Sequence, residues 1–177
     1  VVVSAGPVVD SGWLRQHLDD PSLLLVDCRF DLADANAGRK AFEAGHLRGA
    51  VFADLNADLS DLSKTHLGRH PLPDLPAFAA TLARLGYRPG RTVVAYDQAN
   101  GMFAARLWWM LRWVGHADAA VLDGGFAAAQ ADGLPVEAGA ATPAPAPVPA
   151  LVADPRQLAD FDEVESARQD PGRLLVD

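Results

Sequence analysis

The chain predicts an α/β domain with a central, mostly parallel sheet and helices on both of its faces. Two patterns carry that expectation. Short apolar runs alternate with amphipathic stretches across residues 1–137, the order that builds a parallel sheet covered on both sides. Thr92 to Tyr96, β-branched or aromatic apart from Ala95, then read as a buried strand that feeds a tight loop and a helix.

Taken in order, Ser11 to Leu18 is amphipathic and reads as the first helix, and Leu23 to Asp27 as the first strand. Arg39 to Ala44 follows as a helix and Ala50 to Phe52 as a strand. Leu75 to Leu85 is a helix with Pro76 at its start, where a missing N–H costs nothing, and Gly86 just past its end. Beyond the strand Thr92 to Tyr96 lie the helix Met102 to Trp113, the strand Ala119 to Leu122 and the helix Phe126 to Ala131, closed by Gly133. Ligands of such sheets gather at the carboxyl ends of the strands, which is where Asp27, Cys28, Asp97 and Asp123 would stand.

The loop Asp97-Gln98-Ala99-Asn100-Gly101 opens a helix, so its backbone N–H groups form an anion cradle. Its leading side chain is nevertheless a carboxylate, which repels an anion and is a poor nucleophile without a metal or special activation. The architecture is that of a site, and the chemistry is missing. Asp97 is therefore read as a cap that shapes its loop, with Gly101 allowing close approach or a positive φ.

The 177 residues exceed one ordinary domain, and half of them are apolar. With 15 basic against 23 acidic residues and a formal charge of −8, neither nucleic acid nor an anionic membrane is expected as a main partner. No apolar run reaches the roughly 20 residues of a membrane-spanning helix, since Arg106 and Arg112 interrupt the longest. Val1 to Gly6 lacks the basic and apolar regions of a signal peptide, and the missing Met suggests a trimmed start. Cys28 is the only cysteine, which excludes an internal disulfide framework and fits a reducing, cytoplasmic setting. No metal and no cofactor are expected.

A self-comparison adds an organisation. Asp20-Pro21-Ser22-Leu23-Leu24-Leu25-Val26-Asp27 returns 150 residues later as Asp170-Pro171-Gly172-Arg173-Leu174-Leu175-Val176-Asp177, each copy preceded by a short amphipathic stretch. A domain-sized offset implies a duplicated domain. Residues 1–137 would then be the first copy, residues 138–150 an Ala/Pro linker with an extended, polyproline-like path, and residues 151–177 the beginning of a second, truncated copy. A lone strand cannot bury its faces, so residues beyond about Asp154 should be mobile, swapped or packed on the first copy.

The segments AVFADL, GRHPLP, VVAYD, AARLWWMLRWVGH and VLDGGF, in this order between about Leu24 and Val136, resemble the N-terminal domain of tandem-rhodanese sulfurtransferases, the thiosulfate and 3-mercaptopyruvate enzymes. The resemblance implies a rhodanese-like fold and a non-catalytic copy, with Asp97 at the position of the family's cysteine. The missing second rhodanese domain would supply the persulfide-forming cysteine. The implied reaction moves sulfane sulfur from a small anionic donor, thiosulfate or 3-mercaptopyruvate, to a thiophilic acceptor such as cyanide or a thiol. The 177-residue chain alone is expected to be inactive. The rival expectation is a catalytically dead module that binds an anion or a protein partner.

Four further positions are candidates. His46, in a segment similar to the family's His-Ile-Pro-Gly-Ala, either faces the cleft toward the other domain or bonds the backbone of its own turn; Arg48 departs from the family's proline. Arg69 and His70, in Gly68-Arg69-His70-Pro71, either supply positive charge for an anionic donor or belong to a solvated loop. Arg106 supports the loop, as a partner of Asp97 or Asp123 or by neutralising an oxyanion. Trp108, Trp109 and Trp113 are expected to pack. Cys28, beside Asp27 and away from the loop-to-helix junction, is expected to be buried and inert.

Overall fold

A computed structural model describes residues 6–141 and 143–176. The readings made on Val1 to Ala5, on Thr142 of the linker and on Asp177 of the repeat lie outside the described residues.

Five strands form one parallel sheet in the order β1-β6-β5-β2-β4: β1 (Val8–Val9), β2 (Leu23–Asp27), β4 (Val51–Phe52), β5 (Thr92–Tyr96) and β6 (Ala119–Leu122). A second pair, β3 (His46–Leu47) and β7 (Val136–Glu137), is antiparallel. The central strands β2 and β5 are buried at every position, which is why their sequences run apolar rather than alternating. Even so, successive side chains point to opposite faces and each face has its own core. Leu24, Val26, Val93 and Ala95 pack under α3 (Leu75–Arg84) and α4 (Met102–Trp113). Leu23, Leu25, Val94 and Tyr96 pack under α1 (Ser11–His17), α2 (Ala37–Ala44) and α5 (Gly125–Ala131).

The expected layers are therefore present, and the differences lie in small pieces. The strands β1, β3 and β7 are two residues each, too short to give a periodic signal, and exist only through their partners. The stripe on α4 packs as expected. Met110, Leu111 and Trp113 are buried, Trp109 stacks on Trp113 with centroids 6.0 Å apart, and half-buried Trp108 donates its indole N–H to the Ala119 carbonyl at 3.0 Å.

Past β7 the chain runs without helix or strand over residues 143–149, tied down by Gly139 N–H to the Glu43 carbonyl and Ala146 N–H to the Ala83 carbonyl. Asp154 N–H donates to the Trp113 carbonyl at 2.8 Å, and Leu151 packs on the core. A last helix, α6 (Phe161–Gln169), starts at the cap Asp160 and buries only Ala167. The expected strand at Leu174 to Val176 is not formed, because no neighbouring strand offers it a ladder.

Candidate functional site

The loop at the carboxyl end of β5 is closed by its own first side chain. Asp97 is fully buried, and its Oδ1 accepts from the N–H groups of Ala99 at 3.1 Å and Gly101 at 3.0 Å. Its Oδ2 accepts from Phe103 at 2.9 Å and Ala104 at 3.3 Å, the first turn of α4. One carboxylate thus meets four backbone donors and the positive end of a twelve-residue helix. The anion that this cradle suits is built into the chain. Gly101 takes φ +78°, a left-handed turn that lets α4 begin directly after the loop.

A second glycine holds the loop from outside. Gly125 has φ +56°, and a Cβ there would stand 2.5 Å from the Asp97 carbonyl oxygen. That close approach lets Phe126 N–H donate to the Asp97 carbonyl and Ala127 N–H to the Gln98 carbonyl. On the other side Gln98 donates through Nε2 to the Phe30 carbonyl at 2.6 Å. The loop is braced from α5 and from the segment after β2.

Arg106 does not pair with Asp97 or Asp123. Its Nε and one terminal nitrogen donate to the Leu59 carbonyl, and the same terminal nitrogen donates to the His70 carbonyl at 2.8 Å. Asp97 has backbone donors instead, and Asp123 is exposed, so neither carboxylate needs the guanidinium. Arg106 therefore anchors the loop that carries Arg69 and His70. These three basic residues line one cavity of about 310 Å³ with Leu55, Met102 and Phe103. Burial, together with the charges of Arg106 and Arg69, holds the His70 imidazole below its ordinary range.

His46 is not part of this group. It is buried on β3, stacks on Phe42 with centroids 3.8 Å apart, and donates from Nδ1 to the Phe42 carbonyl at 2.8 Å. Its Nε2 lies 3.5 Å from the Glu137 carboxylate. Cys28 is buried, and burial with the charges of Asp27 and Asp97 pushes its thiol well above the ordinary value.

A buried ion pair escaped sequence reasoning. Arg29 lies 2.7 Å from Asp27 at the end of β2, donates to the Gly45 carbonyl at 2.6 Å and lies over the Phe126 ring. Burial pushes the Asp27 carboxyl up against the pull of Arg29, and the Tyr96 hydroxyl bonds both Asp27 and the Leu47 N–H. The only signal was local: a carboxylate that ends a strand of full burial requires a partner.

The family model described as Rhodanese-like domain matches residues 10–132. The chain belongs to the rhodanese-like domain family. A probable 3-mercaptopyruvate sulfurtransferase of Pseudomonas aeruginosa is 38% identical, with 99% of this chain and 62% of that protein covered. The 3-mercaptopyruvate sulfurtransferase of Escherichia coli is 38% identical over 75% of this chain and 47% of its own length. A putative thiosulfate sulfurtransferase of Mycobacterium tuberculosis is 42% identical over 71% of this chain and 43% of its own length. In three dimensions the chain matches a crystal structure of a 3-mercaptopyruvate sulfotransferase from Escherichia coli with a TM-score of 0.82 and 32% identity, covering 94% of this chain and 63% of that one. The rhodanese-like chain thus spans less than two thirds of each of these relatives. No helix among its described residues is long and apolar enough to cross a membrane.

Proposed function

We propose that this rhodanese-like domain is the non-catalytic half of a two-domain sulfurtransferase that moves sulfane sulfur from 3-mercaptopyruvate or thiosulfate to a thiophilic acceptor. The observation that carries the reading is the Asp97 carboxylate seated on four loop and helix N–H groups, where a sulfur-carrying side chain would otherwise receive those donors. Cys28 is no substitute, being buried and held protonated. In this reading a cysteine of a second rhodanese-like domain attacks the donor, forms a persulfide and passes its sulfur on.

The repeat supports the second domain. Leu14, Leu24 and Val26 are 0%, 4% and 1% exposed, whereas their counterparts Val164, Leu174 and Val176 are 41%, 86% and 85% exposed. The second copy therefore presents to solvent the residues that the first copy buries between its first helix and a finished sheet, and a complete second fold would cover them.

The test compares the 177-residue chain with a longer protein that carries a second rhodanese-like domain after it. Thiocyanate from cyanide and pyruvate from 3-mercaptopyruvate are expected only from the longer protein, at a rate unchanged by Cys28→Ala. Turnover by the 177-residue chain itself would sink the assignment of a non-catalytic half.

A further inference from the structure

The turn between α3 and β5 reads Arg88-Pro89-Gly90-Arg91. Arg91 N–H donates to the Arg88 carbonyl at 3.1 Å, and Gly90 takes φ +85°, the positive value that a turn with proline at its second place favours at its third. The two ends of this turn are arginines, and both line a cavity of about 380 Å³ at the amino ends of β2 and β5, together with Gly49, Val51, Leu85 and Glu137. Arg91 donates from Nη1 to the Gly86 carbonyl at 2.9 Å and from Nη2 to the Pro21 and Leu23 carbonyls at 3.1 and 2.6 Å. Those carbonyls fix where the guanidinium sits, and none carries a charge to balance it. Exposed Arg88 makes no side-chain hydrogen bond and no ion pair among the described residues. Burial and the Arg88 charge draw the Arg91 guanidinium below its ordinary range, as a like charge close by requires. The carboxylate in the lining, Glu137, is engaged elsewhere: it accepts from Gly49 N–H at 2.8 Å and lies 3.5 Å from His46 Nε2.

We propose that this cavity binds a phosphate group, with Arg88 and Arg91 Nη1 as its donors. Two guanidinium groups without a counter-charge suit a dianion, and their planar forks match phosphate oxygens in pairs. A monoanionic carboxylate would leave one of the two charges unbalanced. The turn sets the spacing of the two arginines before a ligand arrives, which limits the ordering that binding must impose. The site lies at the opposite end of the sheet from the Asp97 loop and does not rest on the sulfurtransferase reading.

Inorganic phosphate and glycerol phosphate, titrated separately into the 177-residue chain at constant ionic strength and followed by ¹H–¹⁵N correlation spectra, test the site. Saturable shifts are expected at residues 85–91 and at residue 49, with a Kd of about 1 mM or below. Tighter binding of glycerol phosphate assigns the site to a phosphate monoester, whose organic body Leu85 and Val51 would face; equal or tighter binding of inorganic phosphate assigns it to the free ion. Either result supports a phosphate site. Arg88→Gln should weaken binding by about tenfold or more, as the loss of a charge-assisted hydrogen bond implies, and Arg88→Glu should abolish it. Both variants should keep the parent melting curve, because Arg88 has no partner to lose. Arg112→Gln removes an exposed guanidinium that lies over Trp108 instead, and should leave the affinity unchanged. Absence of saturation up to about 20 mM phosphate, equal weakening by Arg112→Gln, or tighter binding of acetate than of phosphate would each overturn the proposal.

Discussion

Asp97 joins the loop after β5 to the first turn of α4 through four hydrogen bonds, so its removal leaves several buried donors unpaired at once. Each such orphan costs on the order of 1–3 kcal/mol, and relaxation of the loop recovers part of the total. Asp97→Ala should therefore lower stability by about 3 kcal/mol or more, read as a fall in the urea midpoint. Sulfate should restore more of that loss than it adds to the parent, because the emptied cradle accepts an anion. The residue types at this site were legible in the sequence, and so was the role of Asp97 as a cap. The partners of Arg106 were not, since the Leu59 and His70 carbonyls lie 47 and 36 residues away and carry no side-chain signature. His46 bonds the backbone of its own turn for a local reason: its ring stacks on Phe42 and donates to the Phe42 carbonyl four residues back.

Among the elements, α5 shows how one backbone contact fixes a whole segment. Its first turn lies on the loop after β5 because Gly125 has no Cβ; the added atom would stand 2.5 Å from one backbone atom of that loop and 3.0 Å from another. Gly125→Ala should cost more than about 2 kcal/mol, since it combines that overlap with a residue forced to φ +56°. Thermal unfolding followed by circular dichroism measures it, and a melting point within about 1 °C of the parent would contradict the argument. The long elements β2, β5, α4 and β6 keep the boundaries their composition implies, because burial and propensity agree there. The ends of α1, α2, α3 and α5 differ by one or two residues from the expected limits, as frayed helix ends commonly do.

For the whole molecule, proton linkage is set by groups that folding buries. His116 bonds the Tyr87 hydroxyl and the Asp118 carbonyl, and burial holds its imidazole below the ordinary 6.5. The unfolded chain therefore binds the proton first, so this contribution to stability is complete above about pH 6.5 and is lost as the pH falls through the lowered value. His70 acts in the same direction, whereas Asp27, whose carboxyl is raised, acts in the opposite one at more acid pH. Urea midpoints should decline between about pH 7.5 and 5.5, and His116→Gln should flatten that slope; an unchanged slope would assign the proton elsewhere. The sequence by itself determined the alternation of strands and helices, the site-like loop without a nucleophile and the repeat, because each is written in neighbouring residues through periodicity, composition and turn chemistry. Tertiary structure alone decided the strand order, the two-residue strands β1, β3 and β7, the Asp27–Arg29 pair under Tyr96 and the gathering of Arg69, His70 and Arg106 around one cavity. These depend on backbone groups and charges far apart in the chain, whose pairing is fixed only when the sheet closes and burial makes every unpaired group costly.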